Sequence, residues 1–275
     1  MEKTCRQQKG AIQDRTRRVV YSLREGKGQP AYYEKGIAMA RNYIVIDTEG
    51  VDTQKRTDGQ PNPSSGLFYD MGYLVIDGET GETLQSRSFI NSDVFFNLPL
   101  MNSAYYAEKR PQYLEGMGTE WEIASTLMIY RTLKEDIKQY EVRDLWAYNA
   151  RYDMAIMNST IRQMSNGFQA YFIPFKCRWR DIWDYAGSTI CNTRKYVKWC
   201  LTNGYTTANG NPSTSADTVG KYLRDDHDYI ERHTALQDAM DEAFILSEAK
   251  KRKQKARHSM GQGWRDASKL KKSMD

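Results

Sequence analysis

Tyr43-Ile44-Val45-Ile46-Asp47-Thr48-Glu49 is the stretch on which the fold turns. Its apolar, β-branched first half predicts a short strand near the centre of a sheet. Its second half carries two acids two residues apart. The period-two alternation of a strand puts Asp47 and Glu49 on one side of the strand's exit, where they can share a cation. A lone Asp-x-Glu occurs by chance in many chains, so its meaning depends on what else joins it.

Downstream, residues 67–76 and 83–90 flank the turn Asp77-Gly-Glu-Thr-Gly-Glu82, the pattern of a β-hairpin. Asp144-Leu-Trp-Ala-Tyr148 predicts another short strand, running into a helix from Asn149 to about Met164 with Asp153 one turn in. Residues 100–140 show helical periodicity, with Trp121, Ile123, Ala124, Leu127, Met128, Ile129 and Leu133 as an apolar face. Residues 165–213 are mixed and aromatic, closing on a Gly/Asn-rich loop at Asn203–Pro212, and a helix begins near Thr214 or Ser215. A last strong helix is expected from about His233 to Ala249. If His233 and Asp238 both lie on it, they sit about 140° apart around the axis, flanking a ligand rather than touching. Strands first, then helices alternating with one more strand, give an α/β domain with a mixed sheet.

The 275 residues are 40% hydrophobic and 27% charged, enough for a real core. Mean hydropathy is −0.76, and no apolar run approaches the ~18 residues a membrane span needs. The charged N-terminus has no apolar signal region, and four cysteines make no disulfide framework, so reduced thiols in a cytoplasmic protein are expected. A zinc site from Cys177, Cys191, Cys200 and His227 fits no standard ligand spacing.

Charge is unevenly spread. Residues 1–42 carry ten Lys/Arg against four Asp/Glu, and residues 250–275 carry ten against two; residues 43–249 are acidic, with a net −9. This divides the chain into a basic helical N-terminal extension (1–42), a central domain (43–249) and a basic C-terminal tail (250–275). An acidic centre between cationic arms suits a carboxylate metal site that works on a polyanion; the bland alternative is two solvated tails.

Taken together, Asp47-Thr48-Glu49, Asn149-Ala-Arg-Tyr-Asp153 and His233-Thr-Ala-Leu-Gln-Asp238, in that order, resemble the DEDDh branch of the 3′-to-5′ exonucleases over roughly residues 43–249. The hairpin with Gly72 and Asp181 before its helix fit the same pattern, whereas Tyr148 stands where many relatives carry a His. The resemblance implies a ribonuclease H-like mixed β-sheet flanked by helices. It implies Asp47, Glu49, Asp153 and Asp238 as ligands of two Mg²⁺ or Mn²⁺ ions, His233 as general base, and Thr48 and Asn149 as substrate contacts. The implied reaction removes 5′-mononucleotides from single-stranded DNA or RNA 3′ ends, with no membrane involvement and any polymerase partner left open.

The chemistry suits these residue types. Phosphodiester hydrolysis needs a hydroxide nucleophile at neutral pH and neutralisation of the leaving oxygen, which two hard cations about 3.5–4 Å apart can supply. Such ions prefer carboxylate oxygens, and a histidine with an ordinary pKa near 6.5 can accept the proton. A structure-specific endonuclease using the same site, or a silent nucleic-acid-binding adaptor, are the alternative readings.

Overall fold

The computed structural model describes residues 41–51, 62–252, 256 and 259–274. The expected N-terminal helical extension, up to residue 40, and most of the 52–66 loop lie outside the described residues. Strands β1 (Tyr43–Val51), β2 (Leu67–Ile76) and β3 (Thr83–Asn91) form an antiparallel meander. Strand β4 (Glu122–Ala124) adds parallel to β3, β5 (Asp144–Ala147) parallel to β1, and β6 (Arg178–Asp181) parallel to β5. The result is one mixed sheet of order β4-β3-β2-β1-β5-β6.

Alternation along β1 assigns its two faces. Ile44 and Ile46 enter a core with α4 (Thr126–Gln139) and α5 (Arg151–Met164), through Ile129, Leu133, Ile137, Ile156 and Ile161. Tyr43 and Val45 enter the opposite core with α6 (Ile182–Ala186), α7 (Arg194–Thr202), α8 (Ala216–Arg224) and α9 (Ala235–Lys251). The same parity carries Thr48 toward α5 and Asp47 and Glu49 toward α9. Burying both faces explains why this strand is a continuous apolar run.

The connection from β3 to β4 holds α1 (Ser92–Phe95), α2 (Leu98–Met101), a 3-10 turn at Ala107–Lys109 and α3 (Arg110–Gly116). It packs a third core of Val51, Leu67, Tyr69, Phe95, Tyr113 and Trp121 against one end of the sheet.

Three expectations differ from what is found. Ile123 and Ala124 belong to β4 rather than to a helix face, because the helix starts only after Ser125, whose hydroxyl caps the amide of Met128. Arg178-Trp-Arg-Asp181 is an edge strand; its charged side chains pair with Asp144 on β5 and hide a strand signal. The C-terminal stretch is also more than a solvated tail. Lys250, in the last turn of α9, holds its ammonium 3.5 Å from the centroid of the Tyr43 ring. Residues 264–272 form α10 (Trp264–Lys272), whose Ala267 is fully buried. The amides of Gly261 and Gln262 donate to Asp181 (2.7 Å) and Asp184 (2.8 Å). No helix among the described residues is long and apolar enough to cross a membrane, and Cys177, Cys191 and Cys200 are buried free thiols.

One glycine governs how closely α9 approaches the sheet. Gly72 lies opposite Asp47 in the β1–β2 register, and a Cβ there would overlap the backbone N and Cα of Leu236 in the first turn of α9. Gly72→Ala is therefore expected to push α9 off the sheet and cost about 1–3 kcal/mol, the usual scale of overpacking. In thermal denaturation this would read as a melting temperature lower by roughly 2–12 °C. An unchanged melting temperature would show that α9 can lift without penalty.

Candidate active site

The site lies where β1, still paired with β2, runs past the end of its pairing with β5 and meets the first turn of α9. Carboxylate oxygens of Asp47, Glu49 and Asp238 all fall within 4.8 Å of one another, the one grouping of metal-ligating side chains among the described residues. The cysteines do not join such a group: Cys177 sits in the α4–α5 core and Cys191 and Cys200 in the opposite one. His227 instead hydrogen-bonds the Tyr205 hydroxyl at 2.8 Å.

Asp153 reaches the site from the other face. The hydroxyl of Thr48, on the α5 side of β1, donates to Asp153 at 2.8 Å, and both side chains are buried. Thr48, expected among the substrate contacts, thus spends its side chain on orienting a carboxylate. Asn149 takes a left-handed backbone at φ 61° in the turn into α5, a conformation Asn tolerates better than most residues. Its backbone N–H donates to Asp181 at 3.2 Å, and the residue is exposed. Asp181 is the N-cap of α6, accepting from Trp183 and Asp184, as expected for a capping acid.

His233 and Asp238 do touch, against the helical-wheel expectation. His233 lies outside α9, before its N-cap Thr234, with a left-handed φ of 52°. The chain therefore doubles back. The His233 amide donates to the Asp238 carboxylate at 3.1 Å, and its Nδ1 lies 3.9 Å from the other Asp238 oxygen. The wheel argument failed because it extended the helix two residues too far.

Two further acids belong to this centre. Glu242, one turn beyond Asp238 on α9, is 4% exposed and accepts the Tyr148 amide at 3.1 Å. The Asp238–Glu242 spacing on one helix face is a readable signal for it. Asp70, opposite Glu49 in the register, is fully buried and accepts from the Tyr113 hydroxyl (2.8 Å) and the Ala235 amide (2.9 Å). An acid inside the apolar run Leu67-Phe-Tyr-Asp70-Met is likewise legible. Tyr106 and Lys109, from the β3–β4 connection, also reach the site, and nothing in their sequence context marks them.

Burial and mutual repulsion set the electrostatics. Desolvation pushes the Asp47 carboxyl well above its ordinary range, helped by Glu242, Asp153, Asp238 and Glu49. Burial, then the charges of Asp238 and Asp70, raises Glu49 to about 9, with Lys109 opposing. Burial likewise raises Asp153 to about 7, against the bond from Thr48, and Asp238 to about 7, against the His233 amide. Glu242 is pushed well up by burial and by Asp153. His233 moves the other way: desolvation, then the Lys109 charge, lowers its pKa and favours the neutral ring. This many acids held in one buried place are a poor arrangement without a cation and a good one with it. Hard oxygen donors suit Mg²⁺ or Mn²⁺, so the residues present fit such a group.

No family model and no curated protein matches the chain by sequence. Solved structures match it by fold. The nuclease domain of 3′hExo, a DEDDh family member bound to rAMP, aligns with a TM-score of 0.53 at 13% identity, covering 81% of this chain and 98% of that one. A 3′-exonuclease solved for 3′-end-specific recognition of a histone mRNA stem-loop aligns at 0.52 and 14% identity, covering 82% and 69%. E. coli Exonuclease I in complex with a dA16 oligonucleotide aligns at 0.51 and 13% identity, covering 78% of this chain and 41% of that enzyme. The mixed six-stranded sheet flanked by helices is thus the ribonuclease H-like fold of the DEDDh 3′-exonuclease domains that the chain resembles.

Proposed function

We propose that the chain is a metal-dependent 3′-to-5′ exonuclease that releases 5′-mononucleotides from single-stranded DNA or RNA ends. The observation that carries this reading is the convergence of Asp47, Glu49 and Asp238 oxygens within 4.8 Å, with Asp153 and His233 beside them in a fold shared with 3′-exonucleases. Residues 43–249 form the catalytic unit. A binding adaptor has no use for so costly a set of buried and half-buried acids.

Asp47, Glu49, Asp153 and Asp238 would hold the divalent cations, two Mg²⁺ or Mn²⁺ ions in the reading favoured here. When bound, such ions neutralise charge on the phosphate and ease deprotonation of the attacking water. The chain's own residues do the rest. Thr48 fixes the Asp153 carboxylate through its hydroxyl. The neutral His233 ring, anchored through its amide to Asp238, takes the water's proton at Nε2, on the far side of the ring from Asp238. Asn149, an exposed residue, would contact the nucleotide, as the resemblance implies. Burial around the acids limits competing water and strengthens every charge interaction inside the site.

The direct test uses 3′- and 5′-labelled DNA and RNA oligonucleotides with Mg²⁺, Mn²⁺ or EDTA. Stepwise loss of 3′ nucleotides that EDTA abolishes is expected, and internal cuts would favour an endonuclease instead. Asp47→Asn, Glu49→Gln, Asp153→Asn and Asp238→Asn should each remove this activity while circular dichroism stays native. Full activity in Asp47→Asn would end the assignment. His233→Ala should lower turnover by about 10²–10⁴-fold, the usual weight of a general base.

A separate consequence concerns stability. Each raised carboxyl binds its proton more tightly folded than unfolded, so its stabilising effect is complete below about pH 4 and is lost as pH rises through the folded value. For Asp153 and Asp238 that loss extends to about pH 7, and for Glu49 to about pH 9. In EDTA the melting temperature should therefore fall across this window, while Mn²⁺ should restore it increasingly toward the alkaline end. A metal-induced shift that is the same at acidic and alkaline pH would contradict a shared-cation role for these acids.

A further inference from the structure

His233 is held in a conformation that an L-residue adopts only at a cost, and one segment supplies both the ring stacked on it and the ammonium bonded to its carbonyl. At φ 52° the residue sits in the left-handed region, about 1–2 kcal/mol above the right-handed one. The Tyr106 ring stacks on the imidazole at 4.6 Å between centroids and 15° between planes. The Tyr106 hydroxyl has no hydrogen-bond partner among the described residues, so the flat ring is the part in use. The Lys109 ammonium donates to the carbonyl of Arg232 and, at 3.2 Å, to that of His233, and it lies 5.0 Å from the centroid of the Tyr106 ring. Two residues further on, the Ala235 amide is tied to Asp70, which the Tyr113 hydroxyl holds in turn.

Tyr106, Lys109 and Tyr113 all belong to the connection between β3 and β4. We propose that this connection is the positioning element for His233: Tyr106 fixes the plane of the imidazole, and Lys109 and the Tyr113–Asp70 pair fix the backbone on either side of it. The inference rests on the nuclease reading and deepens it, because it names what sets the geometry of the proton acceptor. A stacked ring limits rotation of the imidazole about its side-chain bonds. The Lys109 contacts keep the peptide units of residues 232 and 233 from relaxing out of the left-handed turn. Misplacing a reacting group by about 1 Å can cost on the order of 10²-fold in rate, so this support bears on turnover rather than on substrate or metal affinity.

The experiment uses the full chain loaded with Mn²⁺ and compares Tyr106→Leu with Tyr106→Phe. Tyr106→Leu should lower kcat by about 10- to 100-fold, with KM and the Mn²⁺ concentration for half-maximal activity within about twofold of the parent. Tyr106→Phe keeps the ring and should retain kcat within about threefold. Lys109→Met, which keeps the stem and removes the donors, should resemble the Leu variant. A second readout is independent of activity. The chain has three histidines, so the His233 ring protons can be assigned in the NMR spectrum by their loss in His233→Gln. They should be shifted upfield by the Tyr106 ring current in the parent and the Phe variant, and return toward the free-imidazole position in the Leu variant. Equal loss of kcat in the Phe and Leu variants, an unchanged kcat in the Leu variant, or a His233 resonance indifferent to residue 106 would each overturn the proposal. An inactive parent that still shows the ring-current shift would instead overturn the nuclease reading, and with it the catalytic meaning of the stack.

Discussion

The close seating of α9 on β2 is the constraint on which the rest of the molecule depends. Because Gly72 carries no side chain, the backbone of Ala235 and Leu236 can lie directly on the strand beside Asp47. That approach brings Asp238 within reach of Asp47 and Glu49, and lets Asp70 receive the Ala235 amide. It also fixes the level at which Glu242, one turn later, meets the Tyr148 amide at the end of β5. The acids therefore come from separate elements, but their meeting point is set by one backbone-to-backbone contact that no larger residue would allow.

The cost of this arrangement is electrostatic, and it is concentrated. Asp47, Glu49, Asp153, Asp238 and Glu242 all carry raised pKa values, with burial the largest cause in each case. Burial also raises Glu231, to about 8, and Asp70, to about 6, whereas several acids farther out are paired. Asp136 accepts from Tyr73 and pairs with Arg87, Asp144 pairs with two arginines, and Asp217 pairs with Lys221. Near the carboxylate centre the Lys109 ammonium sends its hydrogen bonds to backbone carbonyls rather than to an acid. Acids left to repel one another at one place fit the cation-binding reading proposed above. His233, which contacts Asp238, holds a left-handed backbone, strain of a kind often found at functional sites.

Most of the frame could be read from the chain. The alternation in Tyr43–Glu49 assigned Asp47 and Glu49 to one face, and the structure keeps them there. The hairpin, the β5 strand, Asp181 as a cap and the Ser215-capped helix all follow from local chemistry of the kind that acts over a few residues. Where local chemistry is ambiguous, the reading failed. Ile123-Ala124 is too short to show its own period, and β6 conceals its pairing under charged side chains that face Asp144. The amphipathic spacing of Trp264, Ala267 and Leu270 was masked by the surrounding lysines, so α10 passed for part of a tail.

What the sequence by itself determined was the inventory of the site and the order of its parts: which strand carries two acids, which helices carry Asp153 and Asp238, and that a histidine precedes the last of them. Those facts depend on periodicities of two and of about 3.6 residues, which any short stretch displays. Only the tertiary structure decided how the parts meet. It turned Thr48 inward onto Asp153, folded His233 back against Asp238 and added Glu242 and Asp70 to the acids. It also delivered Tyr106 and Lys109 from a connection more than a hundred residues away in sequence. These are long-range contacts fixed by the packing of α9 and of the β3–β4 connection on the sheet. Local propensity cannot encode them, because each depends on where a second, distant element comes to rest.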